Sequence, residues 1–245
     1  MCPYFLITMR KDATTNIRYL KGVGSKRLVL FQALGLETIE DMLYYFPRRY
    51  EDRTQITPIA KLKAGEYQTV KARILGFDQR HSFRRRVFSI FEAIVDDGSA
   101  RLECVWFNQP YLKQYFNPGT VVVLYGKVDA YESYLQMQNP EYEIIDEKKE
   151  EDNLNYGRII PVYSLGEKLG QRMFRRIIKN CLDEYIPSLV DILPYDTRQR
   201  HHLLNIAGSI LNIHFPQNAR SQESAYKRII FEECFLLQLL FGLKR

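Results

Sequence analysis

The spacing of apolar residues changes character along this chain. Over the first 60 residues they fall in short helical stretches. The pattern predicts a helix over 14–21, a turn at Gly22-Val23-Gly24, and a second helix to Leu34 with Ser25 placed to cap it. Gly35 closes that helix, and Thr38 opens a third with Asp41 three residues on, a capping-box arrangement ended by Pro47. A charged loop, residues 48–53, follows. From 66 to 146 the apolar positions alternate, and β-branched and aromatic residues dominate. Strands are predicted near 67–78, 86–96, 100–107, 120–130 and 133–145. Asp96-Asp97-Gly98-Ser99 supplies a tight turn between the second and third, because such turns need residues that tolerate positive φ. A helix over 109–116, stopped by Asn117-Pro118-Gly119, separates the third strand from the fourth. The order β-β-β-α-β-β is that of a five-stranded OB barrel, whose closure removes exposed strand edges.

Residues 146–152 (DEKKEED) form a charge run expected to be a linker. An extended segment over 157–163 and helices near 170–185, 195–212 and 219–243 complete the pattern. The fold class is therefore α+β: a small helix-hairpin-helix-like segment (1–60), an OB barrel (61–146), then a linker and helices (147–245).

Composition narrows the function classes. The chain has 245 residues, is 46% hydrophobic and 13% aromatic, and has ample material for a core. No apolar run approaches the roughly 18 residues a membrane span needs, and the N-terminus lacks a signal-peptide pattern. Cys2, Cys104, Cys181 and Cys234 are far apart and read as reduced thiols of a cytoplasmic protein. There is no HExxH, no GxxxxGK[ST] loop, no nucleophile elbow and no evident carboxylate metal cluster, so neither a cofactor nor a hydrolytic centre is expected in this chain. The formal charge of +6 suits an acidic partner but is spread along the sequence, so local clusters decide.

Four clusters stand out, each with a plainer structural alternative. Gly22-Val23-Gly24 with Lys26 and Arg27 could bring backbone N–H groups to a phosphate at a helix N-terminus, or simply join two packed helices. Arg80, Arg84, Arg85 and Arg86, with Phe83 among them, fall in the loop between the first two barrel strands, which OB folds use on nucleic acid. A solvated basic loop is the alternative. Trp106-Phe107-Asn108-Gln109-Pro110-Tyr111-Leu112-Lys113 lies where the third strand meets the helix. Strand alternation puts Trp106 and Phe107 on opposite faces; one reading has Trp106 in the core, with Phe107 and Tyr111 sharing an edge where they could stack on unpaired bases. The bland alternative puts all three rings in the core. Arg172, Arg175, Arg176 and Lys179 recur at helical spacing, a basic stripe or an ordinary charged helix face. The last helix is apolar around most of its circumference from Ile229 to Phe241, which calls for cover beyond Arg245 or in another subunit.

Several strings, in order along nearly the whole chain, resemble the N-terminal part of the RecG family of bacterial branch-migration DNA helicases. They are residues 20–24 (LKGVG), 44–53 (YYFPRRYEDR), 106–112 (WFNQPYL), 136–143 (QMQNPEYE), 161–163 (PVY), 213–216 (IHFP) and 231–233 (FEE). The resemblance implies an OB-fold wedge that binds branched DNA, namely stalled replication forks and Holliday junctions, in repair and recombination. It implies that Phe107 and Tyr111 stack on bases of the parting strands. The candidates for phosphate contact, on their own chemistry, are Arg80, Arg84, Arg85, Arg86, Lys113, Gly22, Gly24 and Lys26. ATP and Mg²⁺ are implied only for a parent enzyme, a monomer whose motor the sequence stops short of and against which the last helix would pack. The rival expectations are a stand-alone single-strand-binding OB protein and a protein-interaction module without catalysis.

Overall fold

The computed structural model describes residues 12–81, 89–131, 134–145, 154–166 and 168–243. Its elements in chain order are α1 (Ser25–Gln32), α2 (Ile39–Leu43), β1 (Arg49–Asp52), β2 (Tyr67–His81), β3 (Ser89–Asp96), β4 (Arg101–Phe107), β5 (Val121–Tyr131), β6 (Tyr134–Gln138), β7 (Glu141–Ile145), β8 (Ile159–Val162), α3 (Gln171–Tyr185), α4 (Tyr195–His201), α5 (Ile206–His214) and α6 (Ala219–Leu243). They form two compact units. One is Asp52–Arg158; the other joins Met1–Glu51 to Ile159–Arg245. The helical stretches at the two ends of the sequence thus contribute to one unit. The charged run 146–152 lies outside the described residues.

The unit Asp52–Arg158 is a closed five-stranded OB barrel. β2 pairs with β5 through Tyr67–Arg73 and with β3 through Arg73–His81, and a bulge between Ile74 and Gly76 bends it between the two partners. β3 pairs with β4, β4 runs parallel to β6, and β6 pairs with β5, which closes the ring. Alternation puts Phe91, Ala93 and Val95 of β3 and Leu102, Cys104 and Trp106 of β4 in the core.

The strand expected over 133–145 is two strands. Asn139 adopts φ +46°, Pro140 has no N–H to donate, and the register against β5 slips by one residue across them. Gly126 makes this bend possible: a Cβ there would lie 3.1 Å from Pro140 Cβ and 3.2 Å from its Cα. The helix expected over 109–116 is a shorter 3-10 turn, Pro110–Gln114, confined between Pro110 and Asn117-Pro118. Its Leu112, with the following Phe116, is fully buried in the barrel core.

In the other unit the helix expected over 14–21 is a single 3-10 turn, Ile17–Tyr19. The Asn16 side chain accepts from Arg18 N–H, Asn16 bridges Thr38, and Ile17 N–H donates to Glu37 O, so these backbone groups are already engaged elsewhere. The N-cap of α1 is Gly24, with Ser25 as its first residue, so Ser25 is not the cap. The capping box at Thr38 and Asp41 is present at α2. The helix expected over 195–212 is α4 and α5. His202 ends α4 in the left-handed region at φ +50°, and Asn205 caps α5 by accepting from Gly208 N–H.

Phe174 of α3 packs edge-on to Phe31 at 5.6 Å and against Tyr163 at 4.9 Å. His214 is fully buried. Its Nε2–H donates to the Leu43 carbonyl at 2.9 Å, which leaves Nδ1 to accept from the Tyr163 hydroxyl at 2.9 Å. Burial holds its pKa down to about 4. Arg228, also buried, donates from Nη2 to Asp191 Oδ1 at 2.8 Å and meets Glu232 Oε2 at 2.5 Å as an ion pair without hydrogen-bond geometry. α6 is buried in its middle, at Ala225, Arg228 and Ile229, and ends with Leu240 and Phe241 58% and 71% exposed.

Candidate nucleic-acid interface

The segment that follows β4 is built by two asparagines the sequence reading did not single out. Asn108 takes φ +58°, which few side chains tolerate, and so breaks the strand directly after Phe107. Its N–H donates to Ser89 O at 2.7 Å, while its Oδ1 accepts from Ser89 N–H. From the other side, Asn139 Oδ1 accepts the Phe107 N–H at 2.9 Å, and Asn139 N–H donates to Val105 O at 2.7 Å. Phe107 is thereby fixed at a corner of the barrel wall. The signal was present in the sequence: Asn-Gln-Pro and Asn-Pro directly after strand patterns are turn chemistry.

The three rings separate as alternation requires. Trp106 is buried, its Nε1–H donating to Pro140 O at 2.9 Å, and packs edge-on to Phe116 at 5.2 Å. Phe107 points outward and is partly exposed. Tyr111 is 48% exposed, its hydroxyl donating to Gln109 Oε1 at 2.8 Å. Lys113 is exposed, and Tyr115, a further ring absent from the candidate set, is 52% exposed beside it in sequence.

Register brings Arg80 to the same edge. Arg80 of β2 lies opposite Ile90 of β3, and Ile90 lies opposite Phe107 of β4. Two strand spacings of ~4.8 Å therefore separate Arg80 from Phe107 along one outward row. One step further along, His81 pairs with Ser89, the residues between which the arginine run falls. Arg84, Arg85 and Arg86 themselves lie outside the described residues. Arg80 is not idle: its Nε meets Asp78 Oδ2 at 3.0 Å and its Nη2 meets Glu92 Oε2 at 3.3 Å. The hydrogen bond from Arg80 holds the Asp78 carboxyl below its ordinary range, with the Gln79 N–H assisting.

Beyond this row the outer wall turns acidic. Asp78 lies opposite Glu92, and Glu103 follows in the row Ile94–Glu103–Gln136–Asp129. The rings and Arg80 thus occupy one end of the barrel face rather than its middle.

Gly22, Gly24 and Lys26 lie in the other unit. Gly22 has φ +100°, its carbonyl accepts from Arg27 Nη1 at 2.6 Å, and a Cβ there would lie 3.2 Å from Ile177 Cγ1. Packing against α3 is what Gly22 does here. Gly24 has open space around it and Lys26 is exposed.

Comparison with known proteins decides the family. The model of the RecG wedge domain matches residues 16–185. The chain belongs to the RecG wedge-domain family. Among curated RecG proteins named ATP-dependent DNA helicases, the one from Thermotoga maritima is 32% identical over 94% of this chain and 29% of its own length. That from Synechocystis is 33% identical over 88% of this chain and 27% of its own length. A solved structure of RecG bound to a three-way DNA junction superposes with a TM-score of 0.77 at 32% identity, covering 94% of this chain and 31% of that one. The chain therefore spans less than a third of the RecG relatives it matches here.

Proposed function

We propose that this chain binds branched DNA, such as stalled replication forks and Holliday junctions, and serves as the strand-separating wedge of a RecG-like ATP-dependent helicase in repair and recombination. The observation that carries this is the outward row Arg80–Ile90–Phe107, with Tyr111 exposed just beyond it on the same segment. Phe107 and Tyr111 stack on the terminal bases of two parting arms and partly replace the stacking lost there. Each such ring contributes about 1–3 kcal/mol. Arg80, Lys113 and the arginines 84–86 hold phosphates and set the orientation of the junction. The RecG relative solved on a three-way junction supports DNA of this shape as the ligand.

ATP and Mg²⁺ belong to this proposal only through a helicase motor. Among the described residues no group of three or more His, Cys, Asp or Glu side chains is placed to hold a metal ion, and the sequence has no phosphate-binding loop. No step here runs through either. Packing of the apolar end of α6 on such a motor, in a monomeric parent, is part of the same proposal.

A stand-alone single-strand binder fits the barrel less well. Such proteins run the strand across the barrel face in a positively charged groove, and here that face carries Asp78, Glu92, Glu103 and Asp129, the first two taking up the charge of Arg80 and the last that of Lys127. The test is competition among a three-way fork, a linear duplex and a single strand, with Phe107→Ala/Tyr111→Ala beside the unaltered chain. Fork affinity should fall ~10-fold or more while duplex affinity holds, as loss of stacking requires. An unchanged fork-to-duplex ratio defeats the stacking role.

A further inference from the structure

Two stretches of sequence far apart in the chain meet in the helical unit. Residues 13–36 contain Arg18, Lys21, Lys26 and Arg27 and no carboxylate; residues 171–180 contain Arg172, Arg175, Arg176 and Lys179 and likewise none. The structure joins them at the glycine turn. Gly22 faces Ile177, Asn180 Nδ2–H donates to the Lys21 carbonyl at 3.1 Å, and Phe31 stacks edge-on against Phe174. Lys21 flanks Gly22, and Arg176 flanks Ile177, so the two cationic stretches meet along the turn.

Some of these charges are already committed. Arg175 is buried and donates to Pro161 O, and Lys179 reaches Asp183. Others are not. Arg18, Lys21, Lys26, Arg27 and Arg176 are exposed, and among the described residues none of them is ion-paired. Arg27 donates to a neutral carbonyl, and the Arg18 guanidinium lies 4.5 Å over the Tyr19 ring, so neither charge is cancelled. Like charges gathered without intervening carboxylates repel one another, and a polyanion relieves that repulsion.

We infer that Lys21, Lys26, Arg27 and Arg176 form a second nucleic-acid surface, which grips the phosphate backbone of double-helical DNA. Duplex is favoured over single strand because the phosphates of its two strands together present about one negative charge per 1.7 Å of helix axis, a density suited to clustered cations. The inference rests on the proposal above only in taking DNA as the polyanion; it uses no residue of the barrel edge.

The test is the full chain carrying Lys21→Glu, Lys26→Glu and Arg176→Glu, titrated with a blunt linear duplex over a range of salt. Three lost phosphate contacts should flatten the slope of log affinity against log salt by about 2.7. Duplex affinity should fall at least ~10-fold at low salt, since the slope reflects counterions released per contact. Lys21→Gln, Lys26→Gln and Arg176→Gln should shift both quantities the same way by less, which separates lost charge from new repulsion. Unaltered duplex affinity and slope in the glutamate variant would overturn the inference. So would a loss confined to anionic phosphatidylserine vesicles with duplex binding intact. Failure of the wedge is read in the fork-to-duplex ratio of Phe107→Ala/Tyr111→Ala, and failure of this patch in the duplex salt slope of the glutamate variant, so the two give different results.

Discussion

The interior of the barrel holds hydrocarbon, sulfur and aromatic rings, from Val70 to Met137, and the indole N–H of Trp106 has its carbonyl partner. The interior of the helical unit is different. Arg175, His214 and Arg228 lie there with no exposure, each tied to a carbonyl, hydroxyl or carboxylate. The barrel unit buries one arginine, Arg53, outside the hydrocarbon core, paired with Glu141 and lying over the Tyr125 ring, while the charges of its edge, Arg80 and Lys113, stay exposed where they can be exchanged for those of a ligand. The helical unit spends charges internally, where removing one strands its partner. Barrel-edge substitutions should therefore change binding and spare stability, while substitutions at the buried groups of the helical unit should do the reverse.

The largest break in that contrast is expected at Arg228. Truncation to Ala leaves Asp191 and Glu232 without it, and breaking a buried pair from one side costs about 3–5 kcal/mol. Denaturant melts should show this, and Arg228→Met combined with both Asp191→Asn and Glu232→Gln should recover part of it.

Next comes acid. His214 is held neutral by burial, with a folded pKa near 4 against 6.5 unfolded. Above pH 6.5 both states are neutral and its stabilising contribution is complete. As pH falls from 6.5 towards 4 the unfolded chain takes up the proton first, and on the order of 3 kcal/mol is lost. Comparing melts at pH 7.5 and 5 checks the sign, and His214→Gln should shrink the difference between them.

Gly22→Ala is smaller. Its φ of +100° and the nearness of Ile177 predict a cost of ~1–2 kcal/mol, read in the same melts. Smallest of all is the stability change from Phe107→Ala/Tyr111→Ala. It should stay within about 0.5 kcal/mol, as for surface positions, although fork binding collapses. A large loss of stability there would erase the distinction between the two units.

The barrel was legible because period-two alternation survives wherever one face is buried. β2 to β5 fall close to their predicted positions, and Trp106 and Phe107 take the opposite faces that alternation assigns. What was not legible depended on partners distant in sequence. The helix expected over 14–21 gave way because Glu37 and Thr38 take up the backbone of Asn16 and Ile17. The bend at Asn139-Pro140 needs Gly126 across the barrel, which no local pattern reveals. At the site, Phe107 and Tyr111 could be named from spacing. The placement of Arg80 in the row of Phe107, and its engagement by Asp78 and Glu92, follows from strand register alone. The meeting of Lys21 with the helix that carries Arg176, through Asn180, is likewise a tertiary fact.

Trp106 is the single tryptophan of the chain, and it stands in the barrel wall directly behind Phe107. Its fluorescence is therefore a built-in reporter for one unit only. Emission should register the melting of the barrel and stay silent when the helical unit opens, whereas far-ultraviolet circular dichroism is weighted towards the helices. Recorded together on one unaltered sample, the two signals would show whether the units unfold as one cooperative block or in succession, with no label added.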